Sequence, residues 1–319
     1  MTSNTEPKKH HYIPQFILRN FCFDDKNHLL YYDVRNESVC VKETKDIFMS
    51  PFLYMDEKNN PEDRMKIEHD FAEYEREVSK LINGKLLNED AVAISEEEDD
   101  KLKLFFALMG FRSKRTSEVY SVNTSTVNKP VFSLYQKDGD YSDLWKRNLG
   151  QLVNCRSLKE VRNNPKIDDM IKIFMMRDTY GYFGRHFSLV ECQEPYEFII
   201  SDCYPTVIKG DIGIKGDIGI IIYDIFPLSP QRALLSVCNG AEGTPLDVRV
   251  LRERAFMQPN PAHDGRKRII STKLNEKEII HINTMIAKEA EIGIAAKTET
   301  ALNKSGIQIE NFAESAQIG

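Results

Sequence analysis

An α+β fold is what the sequence predicts, and three observations predict it. Two short alternating runs, NHLLYYDV and SVCVKE, flank RNE and read as a β-hairpin from about Leu29 to Glu43. Helical periodicity dominates residues 60–180, and β-branched runs broken by turn residues fill residues 185–250. The expected architecture is an N-terminal segment and hairpin, central helices, and a mostly antiparallel C-terminal sheet closed by a C-terminal helix. Residues 1–9 read as a flexible N-terminus, 10–295 as a single domain with few Pro, Gly or Ser linkers, and 296–319 as a polar tail.

The first element is HHYIPQFILRNFCF, His10 to Phe23, an apolar stretch broken only by Gln15, Arg19 and Asn20. Imidazole can ligate metal or move protons near neutral pH, and guanidinium can grip a phosphate with two parallel bonds, so this segment carries half of a conceivable active site. After the hairpin, Asn60 can cap and Pro61 can open a helix whose apolar face is Ile67, Phe71, Tyr74, Val78 and Leu81. Ser95 and Glu98 form a capping box for a second helix. Glu96, Glu97, Asp99 and Asp100 suit the positive end of its dipole, and Leu102, Phe105, Phe106 and Met109 form its stripe. Arg112 ends that helix at the margin of the stripe, where it either snorkels to water or clamps an anion in a cleft.

From Thr116 to about Asn154 periodicity is weak, with Trp145 packing among leucines, and a further helix is expected over Ile167–Met176 before Gly181 and Gly184. The runs HFSLVECQ, EFIISD, TVIKGDIGIKGDIGIIIYDIF and RALLSVC then suggest four or five strands. Within them IKGDIG occurs in tandem, Ile208 to Gly213 and Ile214 to Gly219, which reads as a lengthened hairpin because two copies are too few for a solenoid. Its glycines lack the spacing of a phosphate-binding loop. The last helix, Asn275 to Ala290, places Asn283 inside the apolar face of Ile279, Ile282, Met285 and Ile286, so that amide must either satisfy buried backbone or face a polar site.

With 319 residues, 41% of them hydrophobic, the chain can bury a sizeable core. A net charge of −6 excludes a general polycation but permits a local basic groove for nucleic acid or nucleotide. Its candidates are Arg112 with Lys114 and Arg115, Arg252 with Arg254, and Arg266 with Lys267 and Arg268, each of which also reads as a solvated face. Six scattered cysteines without a CxxC pair argue for reduced thiols and against structural zinc. No apolar run is long enough to span a membrane and no secretory signal is evident, so a cytoplasmic protein is expected, with a protein partner or homo-oligomer left open.

The order HHYIPQFILRNF, LLYYDV, FLY (Phe52 to Tyr54), FIISD (Phe198 to Asp202), PLSPQRALL (Pro227 to Leu235) and INTMIAKEAE (Ile282 to Glu291) resembles bacterial domain-of-unknown-function family 4238 over nearly the whole chain. The family's opening block, H-Y-V-P-x-F-x-L-R-x-F, corresponds to His11, Tyr12, Pro14, Phe16, Leu18, Arg19 and Phe21, with His10 preceding it. FRS around Arg112 is similar to a family helix ending in arginine, and Asn283 matches the asparagine of the last block. The I-T-S-D-N-P block departs here. Ser201 and Asp202 fit, but Cys203 stands where the family has asparagine and Tyr204 intrudes before Pro205, which puts any asparagine-dependent step in doubt. The resemblance implies no activity.

Two nuclease chemistries are conceivable. His10 and His11 with Ile13 and Pro14 resemble the start of a His-Asn-His motif that Asn20 and His28 would continue around one divalent ion, but a strand follows His28 where that motif needs a helix. In the other, His11 is the general acid or base, with His10 beside it. Arg19, Asn20, Arg112 and Asn283 hold substrate, and Asp202 orients the histidine or binds a divalent metal. The functional expectation is therefore a phosphodiester hydrolase of a bacterial conflict or phage-defence system. The alternatives are a nucleotide- or dinucleotide-processing enzyme, and a non-catalytic binding or sensing module in which Arg19 pairs with Asp202 and the shared blocks form a structural joint.

Overall fold

The structure, a computed structural model, describes residues 8–120, 142–169, 171–172, 175, 186–210, 220–237 and 266–307. It is α+β. The chain opens with β1 (Lys9–His11) and the five-residue helix α1 (Gln15–Arg19), then forms the expected hairpin, β2 (His28–Asp33) and β3 (Ser38–Glu43), with Leu30 opposite Val41. β4 (Met49–Pro51) turns back to pair antiparallel with β1, His10 opposite Ser50.

Helix α2 (Lys66–Leu81) starts five residues after the predicted Pro61, because Asp56 gathers the side chains of Asn59 and Asn60 into a turn and Asn60 is not free to cap. Its expected apolar stripe, Ile67, Phe71, Tyr74, Val78 and Leu81, is buried as predicted. A π-helical turn, Ile82–Leu86, ends it, and β5 (Ala91–Ile94) leads into α3 (Glu96–Phe111), whose Ser95–Glu98 capping box is present in both directions. Helices α4 (Lys114–Tyr120), α5 (Ser142–Leu152) and α6 (Leu158–Asn163) follow; Trp145 is fully buried and donates its indole N–H to the Phe111 carbonyl at 2.9 Å. The helix expected at 167–176 lies partly outside the described residues, as does most of the IKGDIG duplication.

The remaining strands are β6 (His186–Glu191), β7 (Ile200–Ser201), β8 (Thr206–Gly210), β9 (Ile220–Pro227), β10 (Arg232–Val237) and β11 (Lys267–Lys273). They are followed by α7 (Glu276–Glu289), β12 (Gly293–Ala296) and α8 (Glu299–Lys304). A six-stranded sheet runs β5-β11-β6-β10-β9-β8, antiparallel except for β11 beside β6; a four-stranded sheet runs β3-β2-β12-β7. β5 and β11 were not foreseen. EFIISD contributes only a two-residue strand, since the N–H groups of Phe198 and Ile199 bond to the Pro230 carbonyl and the Asn283 side chain.

The six-stranded sheet is buried on both faces, as the period-two alternation of β10 shows. Leu234 joins Phe106, Phe187 and Phe226 in a cluster shared with α1, α2 and α3, and the Phe106 and Phe226 ring centroids lie 3.9 Å apart. Ala233 and Leu235 join Val190 and Ile225 with Ile279, Ile282 and Ile286 of α7. The expected tail begins with structure: α8 buries Ala301 and Leu302 in this second cluster. Gly293 is required by close approach, since a Cβ there would sit 2.1 Å from the Tyr31 hydroxyl. None of the described helices is long and apolar enough to cross a membrane.

Candidate functional site

Helix α2 has a second face beside its apolar stripe. Glu68, Ala72, Glu75, Arg76 and Ser79 recur at helical spacing, and with Phe71 they form one wall of a pocket of about 320 Å³. The small Ala72 and Ser79 leave room between the longer side chains. Gln15, Phe16 and Arg19 of α1 form the facing wall, and His11 and Arg112 complete the lining. Pro14 precedes α1, and its helical turn puts Gln15 and Arg19 four residues apart on the pocket side.

Arg112 neither snorkels to water nor stands free. It is 1% exposed, its guanidinium carbon lies 3.8 Å from the Phe71 ring centroid, and Nε donates to the Tyr54 hydroxyl at 3.1 Å. Nη1 pairs with Glu75 and Nη2 donates to the His11 carbonyl. Burial opposes its charge, but Tyr54 and Glu75 outweigh that and hold it protonated. Arg112 thereby fixes both the backbone of His11 and the carboxyl group of Glu75.

Two buried polar atoms of the pocket residues have no hydrogen-bond partner among the described residues, His11 Nε2 and Glu68 Oε2. Burial, assisted by Arg112, lowers the His11 pKa to about 4, against a smaller opposing pull from the backbone of Thr44 and Lys45. Burial raises Glu68 to about 7, with Glu75 adding to the rise and Arg112 reducing it. At neutral pH the imidazole is uncharged and Glu68 is shared between acid and carboxylate. Three arginines against two glutamates, one of them half-protonated, leave the pocket positive.

The residues singled out from sequence divide into two groups. His11, Arg19 and Arg112 come together in the pocket; His10, Asn20, Asp202 and Asn283 are not part of its lining. His10 is fully buried, stacks on Tyr54 and accepts the Tyr54 N–H at Nδ1, 2.9 Å. Asn20 donates to the Leu228 carbonyl at 2.9 Å and to Asn83 of the π-helical turn at 3.2 Å. Asp202 Oδ1 accepts the N–H groups of Glu291, Ile292 and Gly293 at 3.0–3.1 Å, tying β7 to the start of β12. Asn283 satisfies buried backbone: Oδ1 accepts from Ile199 and Nδ2 donates to the Glu197 carbonyl. The pairing of Arg19 with Asp202 is absent, because Arg19 instead donates to Gln15 at 3.1 Å.

The basic clusters are largely neutralised where they are described. Arg112 pairs with Glu75, Lys114 with Glu118 and Arg115 with Glu291; Arg266 and Arg268 are exposed beside or on β11, and Arg252 and Arg254 lie outside the described residues. Among the described residues no group of three or more His, Cys, Asp or Glu side chains is arranged to hold a metal ion. His28 bonds to Asp24 at 2.7 Å, on the strand that displaced the metal-bearing helix of the His-Asn-His reading. The described cysteines are free thiols.

Sequence reasoning missed Glu68, Glu75, Arg76, Ser79 and Gln15. The signal of the four α2 residues was present in the helix repeat, as a polar stripe running beside the apolar one, but α2 was read only for its core face; Gln15 stands on α1, outside that repeat.

The family model described as a protein of unknown function, DUF4238, matches residues 9–300, and the chain belongs to that family. No curated protein and no solved structure matches it.

Proposed function

We propose, from a family membership that brings no activity with it, that the pocket between α1 and α2 is the active site of a hydrolase acting on phosphodiesters. The observation that carries this reading is the coincidence in one positive pocket of two unpartnered buried groups, His11 Nε2 and Glu68 Oε2, with Arg19 and Arg76 among its lining residues. Arg19 and Arg76 would face the non-bridging oxygens. A carboxyl group titrating near 7 suits acid–base work at neutral pH. Glu68 as carboxylate would take a proton from water as the new P–O bond forms, and return it to the leaving oxygen as the old bond breaks. The volume, about 320 Å³, is at the small end of the roughly 300–1,000 Å³ common for ligand pockets, which favours a single nucleotide or strand end over a duplex.

The test is turnover of bis(4-nitrophenyl) phosphate and of short labelled single-stranded DNA and RNA by the purified chain. Glu68→Gln should lower the rate by about 100-fold or more, the usual contribution of a general acid–base group, without lowering the melting temperature. A parent protein inert on every phosphodiester would sink the reading.

A second reading is favoured by the backbone bonds of Asp202 and Asn283, which belong to the family blocks, and of Asn20, all of which suit a structural joint. In that case the same pocket would bind an anionic ligand without turning it over. Binding of nucleotides by calorimetry with no turnover would select it.

A further inference from the structure

We infer that Gln15 is a positioning residue that locks neutral His11 as its Nε2–H tautomer, so that the imidazole meets a ligand as a hydrogen-bond donor and not as a base. The catalytic role of that donor rests on the proposed hydrolase site; the tautomer does not.

The direction of a short hydrogen-bonded chain decides it. Arg19 Nη2 lies 3.1 Å from Gln15 Oε1, and Gln15 Nε2 lies 3.4 Å from His11 Nδ1. A guanidinium carries donors only, so the amide of Gln15 must turn its oxygen toward Arg19. The reverse orientation would set NH₂ against N–H, donor against donor. With the oxygen so placed, the amide NH₂ faces the ring, and an amide nitrogen can only donate. Nδ1 must therefore offer its lone pair, and the one proton of the neutral imidazole sits on Nε2.

That proton is placed where no described group makes a hydrogen bond to it: Nε2 is buried without a partner, and the Thr44 and Lys45 backbone near the ring pulls on it without meeting hydrogen-bond geometry. An N–H left this way is costly, which a ligand oxygen would relieve. In the proposed reaction the acceptor is a phosphoryl oxygen gaining negative charge, and a neutral donor in a buried site stabilises such charge without a proton being moved. Glu68 then carries the proton transfer and His11 does not. Gln15 touches neither substrate nor reacting atoms; it acts through His11.

The experiment is the nitrogen NMR spectrum of the histidine rings in the ¹⁵N-labelled full chain at neutral pH, with His11 assigned by through-bond correlation to its own Cβ and, where the variant folds, by loss of the signal in His11→Asn. The expected spectrum has a protonated, pyrrole-like Nε2 and an unprotonated, pyridine-like Nδ1. In Gln15→Glu the carboxylate can only accept, so the proton moves to Nδ1 and the two signals exchange character. Arg19→Met frees the amide to rotate and should give a mixture. A proton on Nδ1 in the parent, or a Gln15→Glu spectrum identical to it, would overturn the inference. The Nε2–H signature in a protein that cleaves no phosphodiester would uphold the tautomer and reject the hydrolase; the wrong tautomer with a rate still dependent on Glu68 would do the reverse.

Discussion

The joint around Asp202 and the pocket around Glu68 are made of the same kinds of polar side chain and meet burial in opposite ways. In the joint, one carboxyl oxygen collects three backbone N–H groups, and Asn283 uses both ends of its amide. In the pocket, Glu68 Oε2 and His11 Nε2 are buried with no partner. Native proteins satisfy nearly all buried polar atoms, so exceptions call for explanation. Lack of a partner alone is not diagnostic, because the hydroxyls of Ser188, Ser201, Tyr204 and Ser236 share it. None of those four lines the pocket. What separates the pocket is that its unpartnered groups belong to two residues lining one cavity, beside three arginines.

The largest effect should come from breaking the joint. Asp202→Ala leaves three N–H groups without their acceptor at the junction of β7 and β12, at a cost of about 3 to 5 kcal/mol. Denaturant unfolding should show that loss, while the folded fraction keeps its rate on a phosphodiester substrate. A variant that unfolds at the parent's midpoint but loses turnover would move Asp202 from the joint to the catalytic group.

The pocket makes a different prediction, about pH. His11 is lowered from 6.5 to about 4, so in the unfolded chain it binds a proton more readily, and its contribution to stability is present above 6.5 and lost as pH falls toward 4. Glu68 is raised from 4.5 to about 7, so here the folded state binds the proton more readily; its stability contribution is present below 4.5 and lost as pH rises through 7. The windows overlap and the slopes oppose. The parent should therefore show a shallow dependence from these two groups between pH 4.5 and 6.5. Glu68→Gln should expose the His11 slope, with stability rising from pH 4 to 6.5, and should exceed the parent by about 2 to 3 kcal/mol at pH 8. His11→Asn should expose the opposite slope. Parallel curves for all three proteins would show that the two groups are solvated after all.

Most of the fold could be read from local pattern, because period and capping act over a few residues. The hairpin, the stripe of α2, the Ser95 cap and the Asn283 anomaly all have that origin. β5 and β11 could not be read that way: β5 has only four residues, and the two strands pair with each other over more than 170 residues of sequence, Val92 opposite Ile269. The site was half legible for a related reason. His11 and Arg19 stand out in an apolar segment, whereas Glu68 and Glu75 are two glutamates on an ordinary exposed-looking helix face. Only the docking of α1 over that face, with Arg112 buried beneath it, turns them into pocket residues. Asp202 and Asn283 spend their polar atoms on backbone bonds, a use that the sequence alone does not distinguish from a place in a reacting site.

The smallest effect distinguishes the floor of the pocket from its mouth. Arg76 is exposed and Arg112 is buried in a network with Glu75, Tyr54 and His11, though both line the same space. A solvent-screened cation contributes little to affinity, so Arg76→Gln should raise KM by about fivefold or less, leave kcat unchanged, and lose its effect as salt is added. A salt-independent fall in kcat instead would mean that Arg76 closes over the bound phosphate and becomes part of the floor, and the pocket would then have to be smaller and drier with substrate than without it.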